Sequence, residues 1–258
     1  MPEFELAVFL AFVAIGALVQ AITGFALALI VMGGVTALGL AEISFSAAVV
    51  SLIALVNTSI SLRRSYRFVD RKMVMSLITG LLPFTAIGVG LLEVLSTAFY
   101  EGLRLVLGVV IIVAGTILMV QPTPFASPSS RGAMVLTGAT GGLTGGLYGA
   151  AGAPLAWLMY RQPIDFQVVR ATLLATFFAS TAGRTAVVIA SGHMTTDILL
   201  MAGLSIPLVV IATVLGVRLA PRVPERILRR GVFVMLVLMG AFLIGEALMN
   251  PVISRGSL

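Results

Sequence analysis

The stretch Gly138-Ala-Thr-Gly-Gly-Leu-Thr-Gly-Gly-Leu-Tyr-Gly-Ala-Ala-Gly-Ala-Pro154 decides the fold. It lies inside an apolar run, residues 133–160, that is long enough to cross a bilayer yet holds seven glycines and a proline. In a continuous helix each Gly costs roughly 1 kcal/mol and a Pro roughly 3 relative to Ala. In lipid, the backbone groups so freed must find partners in protein or in a water-filled cavity. The stretch is therefore either a very tight helix crossing or a helix break that builds a site. A fainter version opens the chain: Gln20-Ala-Ile-Thr-Gly-Phe-Ala-Leu-Ala-Leu-Ile30.

Outward from this stretch the composition is that of a polytopic membrane protein. Of 258 residues 59% are hydrophobic and 10% charged, against about 25% charged in soluble domains. The formal net charge of +6 sits in short loops, where Lys and Arg set topology, so it does not point to nucleic acid. There is no cysteine and a single histidine, His193. Thiolate chemistry and multi-His metal centres are excluded; no metal and no cofactor is expected. HExxH and GxSxG are absent, and with them the usual hydrolase sites; the chain reads as a non-enzyme. The N-terminus lacks the basic n-region of a cleaved signal peptide, so the first apolar segment is expected to stay.

Eight apolar blocks follow, near residues 4–39, 44–62, 74–95, 103–120, 133–160, 166–190, 198–219 and 231–249. A Pro- and Ser-rich linker at 122–131 divides them into halves 1–121 and 132–258. The punctuation of the halves repeats: Glu42 with Asp165, Asn57 with Ser180, Pro83 with Pro207, Glu101 with Glu225, Gly115 with Gly240, offsets of 123 to 125. The loop 63–72 carries five Lys and Arg while its counterpart 191–197 carries none. The loop 95–102 carries none, while its counterpart 218–230 carries five Arg. Basic loops stay in the cytoplasm, so equivalent loops face opposite sides. The expected fold is all-α, with two inverted-topology repeats as in many secondary transporters. An inverted half crosses an odd number of times, so each first block must be a hairpin broken at its glycines, followed by three spans. Whether these hairpins are re-entrant or pairs of short spans stays open.

The candidate site lies at the breaks. Gly138, Gly142 and Gly146 read as a packing seam of small residues. Tyr148, Gly149, Ala150, Gly152 and Pro154 read as a turn and a helix start, with Pro154 suited to a first turn. In the first half Gln20, Thr23, Gly24 and Phe25 take that place, with Thr23 as the expected N-cap of a helix starting near Gly24. Two facing helix N-termini form an anion site without metal. Asn57 and Thr58, and Ser180 and Thr181, would line the path. Arg184, six residues inside the outer end of its helix, either points inward beside the helix ends or snorkels to the headgroups. Glu42 and Asp165 are expected to cap the helices they precede. Glu93 and Glu246 are either solvated helix ends or proton relays, His193 is exposed, and Trp157 and Tyr160 are interfacial anchors.

The length, the two four-block halves and the motifs Gly24-Phe-Ala-Leu-Ala-Leu-Ile30 and Gly145-Gly-Leu-Tyr-Gly-Ala-Ala-Gly-Ala-Pro-Leu155 resemble the TauE/SafE family of sulfite and organosulfonate exporters. The likeness spans essentially the whole chain. The second motif is close to the family pattern of glycines followed by a small residue and proline. The first departs from it, with Ala26, Leu27 and Ala28 where glycines are usual and no proline over 29–32. The resemblance implies a multi-pass inner-membrane transporter whose partners are a small sulfur-containing anion and the bilayer. The same residues would line an anion channel, which is the rival reading. The anion, the direction, the coupling ion and any homo-oligomer are left open.

Overall fold

The computed structural model describes residues 3–119, 123–220 and 225–255. The linker boundary at 121 and 122 and the side chains of 221–230 lie outside the described residues. The order is α1 (Glu3–Thr23), α2 (Leu27–Ala37), α3 (Ile43–Ser65), a short 3-10 turn (Tyr66–Phe68), α4 (Arg71–Ala98) and α5 (Tyr100–Met119). After the linker come α6 (Arg131–Tyr148), α7 (Gly152–Met159), α8 (Phe166–Ala190), α9 (Thr196–Leu219) and α10 (Glu225–Arg255). Among the described residues there is no strand. Seven helices, α1, α3, α4, α5, α8, α9 and α10, are long and apolar enough to cross a membrane. The protein is an all-helical, multi-pass membrane protein. The first and fifth apolar blocks are the two that break, into α1 and α2 and into α6 and α7.

Packing partners exchange between the halves. α4 lies along α6, and α9 lies along α1. α3 touches α9 as α8 touches α4, while α3 meets α8 and α5 meets α10. Pro83 and Pro207 sit inside the matching helices α4 and α9.

The seam residues explain how closely α6 approaches α4. A Cβ on Gly138, Gly142 or Gly146 would overlap the backbone oxygen of Leu77, Leu81 or Thr85. One on Gly80 or Gly88 of α4 would overlap the oxygen of Val135 or Leu143. Backbone therefore meets backbone along the whole contact, which membrane helices use because lipid supplies no hydrophobic drive to association.

Some expectations change. Glu42 and Asp165 stand at the N-cap positions of α3 and α8 but make no capping bond. Both are exposed, so water solvates their carboxylates and the bond would gain little. Side-chain caps come instead from Asp70 to Lys72 N (2.9 Å) and Met73 N (3.0 Å), from Ser130 to Ala133 N and from Thr195 to Ile198 N. Trp157 is exposed, with the Arg161 guanidinium 5.1 Å from its ring centre. Tyr160 is no surface anchor: its hydroxyl donates to the Thr23 carbonyl (3.0 Å) and its ring contacts Phe25 and Phe166. At the far ends of α5 and α10, buried Arg104 pairs with Glu246, which is therefore not a free solvated end.

Candidate functional site

The first break is held by side chains. α1 ends at Thr23, and α2 starts at Leu27, three residues later than the sequence suggests. The N-cap position belongs to Ala26, in a left-handed conformation (φ 94°) with no capping side chain. Thr23 is not the cap because its hydroxyl is engaged within the turn, 2.9 Å from the Val19 carbonyl and 2.8 Å from that of Phe25. The cap is Gln20: its Oε1 accepts from Leu27 N (3.1 Å), and its Nε2 donates to Asn57 Oδ1 (2.9 Å). Asn57 Nδ2 in turn donates to the Ala17 carbonyl (3.0 Å) and to Thr213 Oγ1 (2.7 Å). The buried amides thus tie α1, α2, α3 and α9 together.

The second break is made by backbone. Gly149 follows α6 with φ 67°, and its N–H donates to the Gly145 carbonyl (2.8 Å), a left-handed helix stop that glycine adopts without strain. α7 starts at Gly152 with no side-chain cap, and Pro154 falls in its first turn. Tyr148 is fully buried, and its hydroxyl donates to the Leu103 carbonyl (3.0 Å).

Two arginines of α8 hold the carbonyl ends of the broken helices. Arg184 is buried and points inward, not to the headgroups. Its Nε donates to the Gly146 carbonyl (3.0 Å), and its Nη1 to the Ala47 carbonyl (2.8 Å) and Ser51 Oγ (3.0 Å). Arg170 donates Nη2 to the Ala21 carbonyl. Ala21 and Gly146 each stand two residues before the end of their helix, Thr23 and Tyr148. Helix C-termini carry roughly half a negative charge and N-termini roughly half a positive one. At each break a C-terminus and an N-terminus lie side by side, and their fields oppose. The arginines place positive charge beside the negative members, next to the N-termini of α2 and α7.

Those N-termini meet in one cavity. It is lined by Gln20, Phe25, Ala26, Ala28, Leu29 and Ala54 from the first half and by Gly149, Ala150, Ala151, Gly152, Phe177, Ser180 and Thr181 from the second. Ala54 and Phe177 lie midway along α3 and α8. Phe25 lies against Gly152, where a Cβ would stand 3.2 Å from its ring. The centres of water-sized spheres have about 20 Å³ in this space, room for about one water. Thr23, Gly24, Asn57, Thr58, Tyr148, Pro154 and Arg184 stand around the cavity and do not line it. Thr58 bonds back to the Ala54 carbonyl (2.7 Å). Of the lining residues, Ala26, Ala28, Leu29, Ala54, Ala151 and Phe177 are not among the site residues expected from sequence, nor is Arg170, and Tyr160 is expected at the membrane interface. The available signal was the spacing of Arg170 and Arg184, about four turns apart on one helix face.

A wider cavity lies at each end of α3 and α8. At the end carrying the basic loop 63–72 it is lined by Ser61, Arg64, Gln167 and Arg170 among others. At the opposite end it is lined by Glu42, Glu93, Ser96, His193 and Thr195 among others. There exposed His193 and Glu93 pair at 3.0 Å, so Glu93 is not simply a solvated end.

A family model described as "Sulfite exporter TauE/SafE" matches residues 8–243. The chain belongs to the TauE/SafE family. It is similar to the "Probable sulfite/organosulfonate exporter TauE" of Cupriavidus necator, 36% identical over 239 residues, covering 93% of this chain and 91% of the relative. No solved structure matches the chain. The TauE/SafE match takes in both breaks, both arginines of α8 and every residue that lines the central cavity.

Proposed function

We propose that this chain is a secondary transporter of small sulfur-containing anions, such as sulfite, thiosulfate or an organosulfonate, in an inner membrane. The name of the Cupriavidus relative and the family supply the substrate class. The observation that carries the reading is the junction of two helix N-termini in a cavity with both neighbouring helix C-termini held by arginine. Such a site attracts an anion through backbone N–H groups, as helix N-termini do elsewhere, with Gln20, Ser180 and Thr181 as its polar side chains. Arg184 acts through the field and shape of the break. The anion is not expected to touch it.

The halves 1–121 and 132–258 are read as inverted repeats, a reading supported by the exchange of packing partners. The basic end faces the cytoplasm, and the cavity lies near the midplane. In the present conformation it has room for about one water, so a sulfonate requires the breaks to separate, first toward one end cavity and then toward the other. This closure favours a transporter over a channel.

The test is sulfite uptake by proteoliposomes. Arg184→Ala and Gly149→Leu should each abolish most flux. Uptake that saturates marks a transporter, and unsaturated current marks a channel. Wild-type uptake by both variants would sink the site assignment.

A further inference from the structure

The basic end cavity holds more chemistry than a passage needs. Among the described residues its polar lining is Ser61, Arg64 and Ser65 of α3 with Gln167 and Arg170 of α8, with no carboxylate. By the same measure that gives the central cavity about 20 Å³, this one has about 330 Å³. Helical Ser and Thr usually bond back to their own backbone. On α3, Thr58, Ser59 and Ser65 do so. Ser61 does not: it is only 2% exposed, and its hydroxyl has no partner. Arg170 commits Nη2 to the Ala21 carbonyl, while its buried Nε has no partner. Among the described residues neither Arg64 nor Arg170 has an acidic partner.

A buried hydroxyl and a buried guanidinium N–H left unbonded beside a roomy cavity each forfeit a hydrogen bond, at a cost that one ligand with several acceptor oxygens would remove. We propose that this cavity is a second anion site, in which Ser61 and Arg170 bind a small oxyanion, a sulfite or sulfonate, while Arg64 and Gln167 hold it at the mouth. The choice of anion rests on the transport reading above. Ser61 and Arg170 each lie about two turns, about 10 Å, from the residues of their helix that line the central cavity. The site holds the anion with room for its hydration water. The anion then sheds that water to enter the narrow junction of the two breaks.

The experiment measures sulfite flux in vesicles of defined orientation and sulfite binding by calorimetry on the purified full-length protein in lipid-free detergent. For sulfite offered at the basic face, Ser61→Ala and Arg64→Gln should each raise KM by about tenfold, the loss expected for one hydrogen bond to a charged group. The rate at saturation and the KM at the opposite face should stay within about twofold, since an interaction made only on loading is being removed. Arg170→Lys, which keeps the charge and a donor for Ala21, should raise KM less than Arg170→Gln. An unchanged KM at the basic face, or an equal rise at both faces, overturns the proposal and leaves the central site standing. Should the wild type show no sulfite flux, the transport reading fails, and calorimetry decides the site: binding weakened by Ser61→Ala supports it, and wild-type binding by that variant overturns it. Binding that appears only when lipid is removed marks a headgroup phosphate as the normal occupant and also overturns it.

Discussion

Arg170 and Arg184 stand about four turns apart on α8, and each donates to a backbone carbonyl at the end of a broken helix, Ala21 for one and Gly146 for the other. One continuous helix thus holds both breaks. The two are unequally enclosed, since Arg184 is buried and Arg170 is half-buried. Removing Arg184 leaves the Gly146 carbonyl without its side-chain donor and takes one bond each from the Ala47 carbonyl and the Ser51 hydroxyl, which still bond each other; a buried acceptor left unpaired costs about 1–3 kcal/mol. Arg184→Leu should therefore lower the melting temperature in detergent far more than Arg170→Leu, which removes one hydrogen bond of a half-buried side chain where Arg184 makes three. Equal shifts would show that burial does not set the difference.

Gly149 ends α6 in the left-handed conformation at φ 67°. An L-residue there costs roughly 1–2 kcal/mol, and its Cβ would stand 3.3 Å from the Ala47 oxygen that Arg184 binds. Gly149→Ala should thus strain the same junction as the arginine variant. Combined with Arg184→Lys, it should show a coupling of about 0.5–3 kcal/mol, as contacting residues do. Thermal unfolding of the two single variants and the double variant measures this, and strict additivity would separate the two features.

The seam makes a sharper contrast. Gly142→Val places a side chain into the α4 backbone at Leu81 and should prevent α4 and α6 from closing. Gly203 and Gly90 have nothing within 4 Å of a Cβ. Alanine at either should be neutral or stabilising by up to about 1 kcal/mol, the helix-propensity gain. Yield of monodisperse protein and melting temperature read both. A well-folded Gly142→Val protein would mean that the seam is looser than backbone contact.

The breaks were legible because glycine and proline announce backbone that cannot run straight. The seam was legible for the same reason, since only glycines at Gly138, Gly142 and Gly146 let two backbones touch. The central cavity collects Gln20, Phe25, Gly149, Ala150 and Gly152, named from their nearness to the breaks, and Ser180 and Thr181, named as polar residues inside a membrane helix. What the sequence hid are contacts to backbone carbonyls. Arg170 resembles any basic residue near a membrane edge, and Tyr160 resembles an interfacial tyrosine, because a carbonyl acceptor leaves no side-chain signature. Ala26 was hidden differently. A left-handed alanine is rare enough that nothing short of the folded turn implies it. The cap of α2 was misassigned to Thr23 for the same reason, since seven residues separate Gln20 from the N–H it accepts.

Asn57 carries the last prediction. Its Oδ1 accepts from Gln20, and its Nδ2 donates to the Ala17 carbonyl and to Thr213. Asn57→Ser removes bonds but introduces no conflict. Asn57→Asp keeps the acceptor for Gln20 and turns the donor into a second acceptor facing the Ala17 carbonyl, an opposition of oxygens in a site with no exposure. Aspartate should therefore be worse than serine, by about 2 kcal/mol or more in stability, because a charge is buried without a partner. Gln20 would lose its acceptor in the serine variant, and in the aspartate variant the repulsion at Ala17 would displace the acceptor it keeps, so on the transport reading proposed above sulfite uptake should fall in both. Melting temperature and uptake measured side by side check the order. If aspartate proves milder than serine, the amide is oriented the other way, and Gln20 does not cap α2 as described.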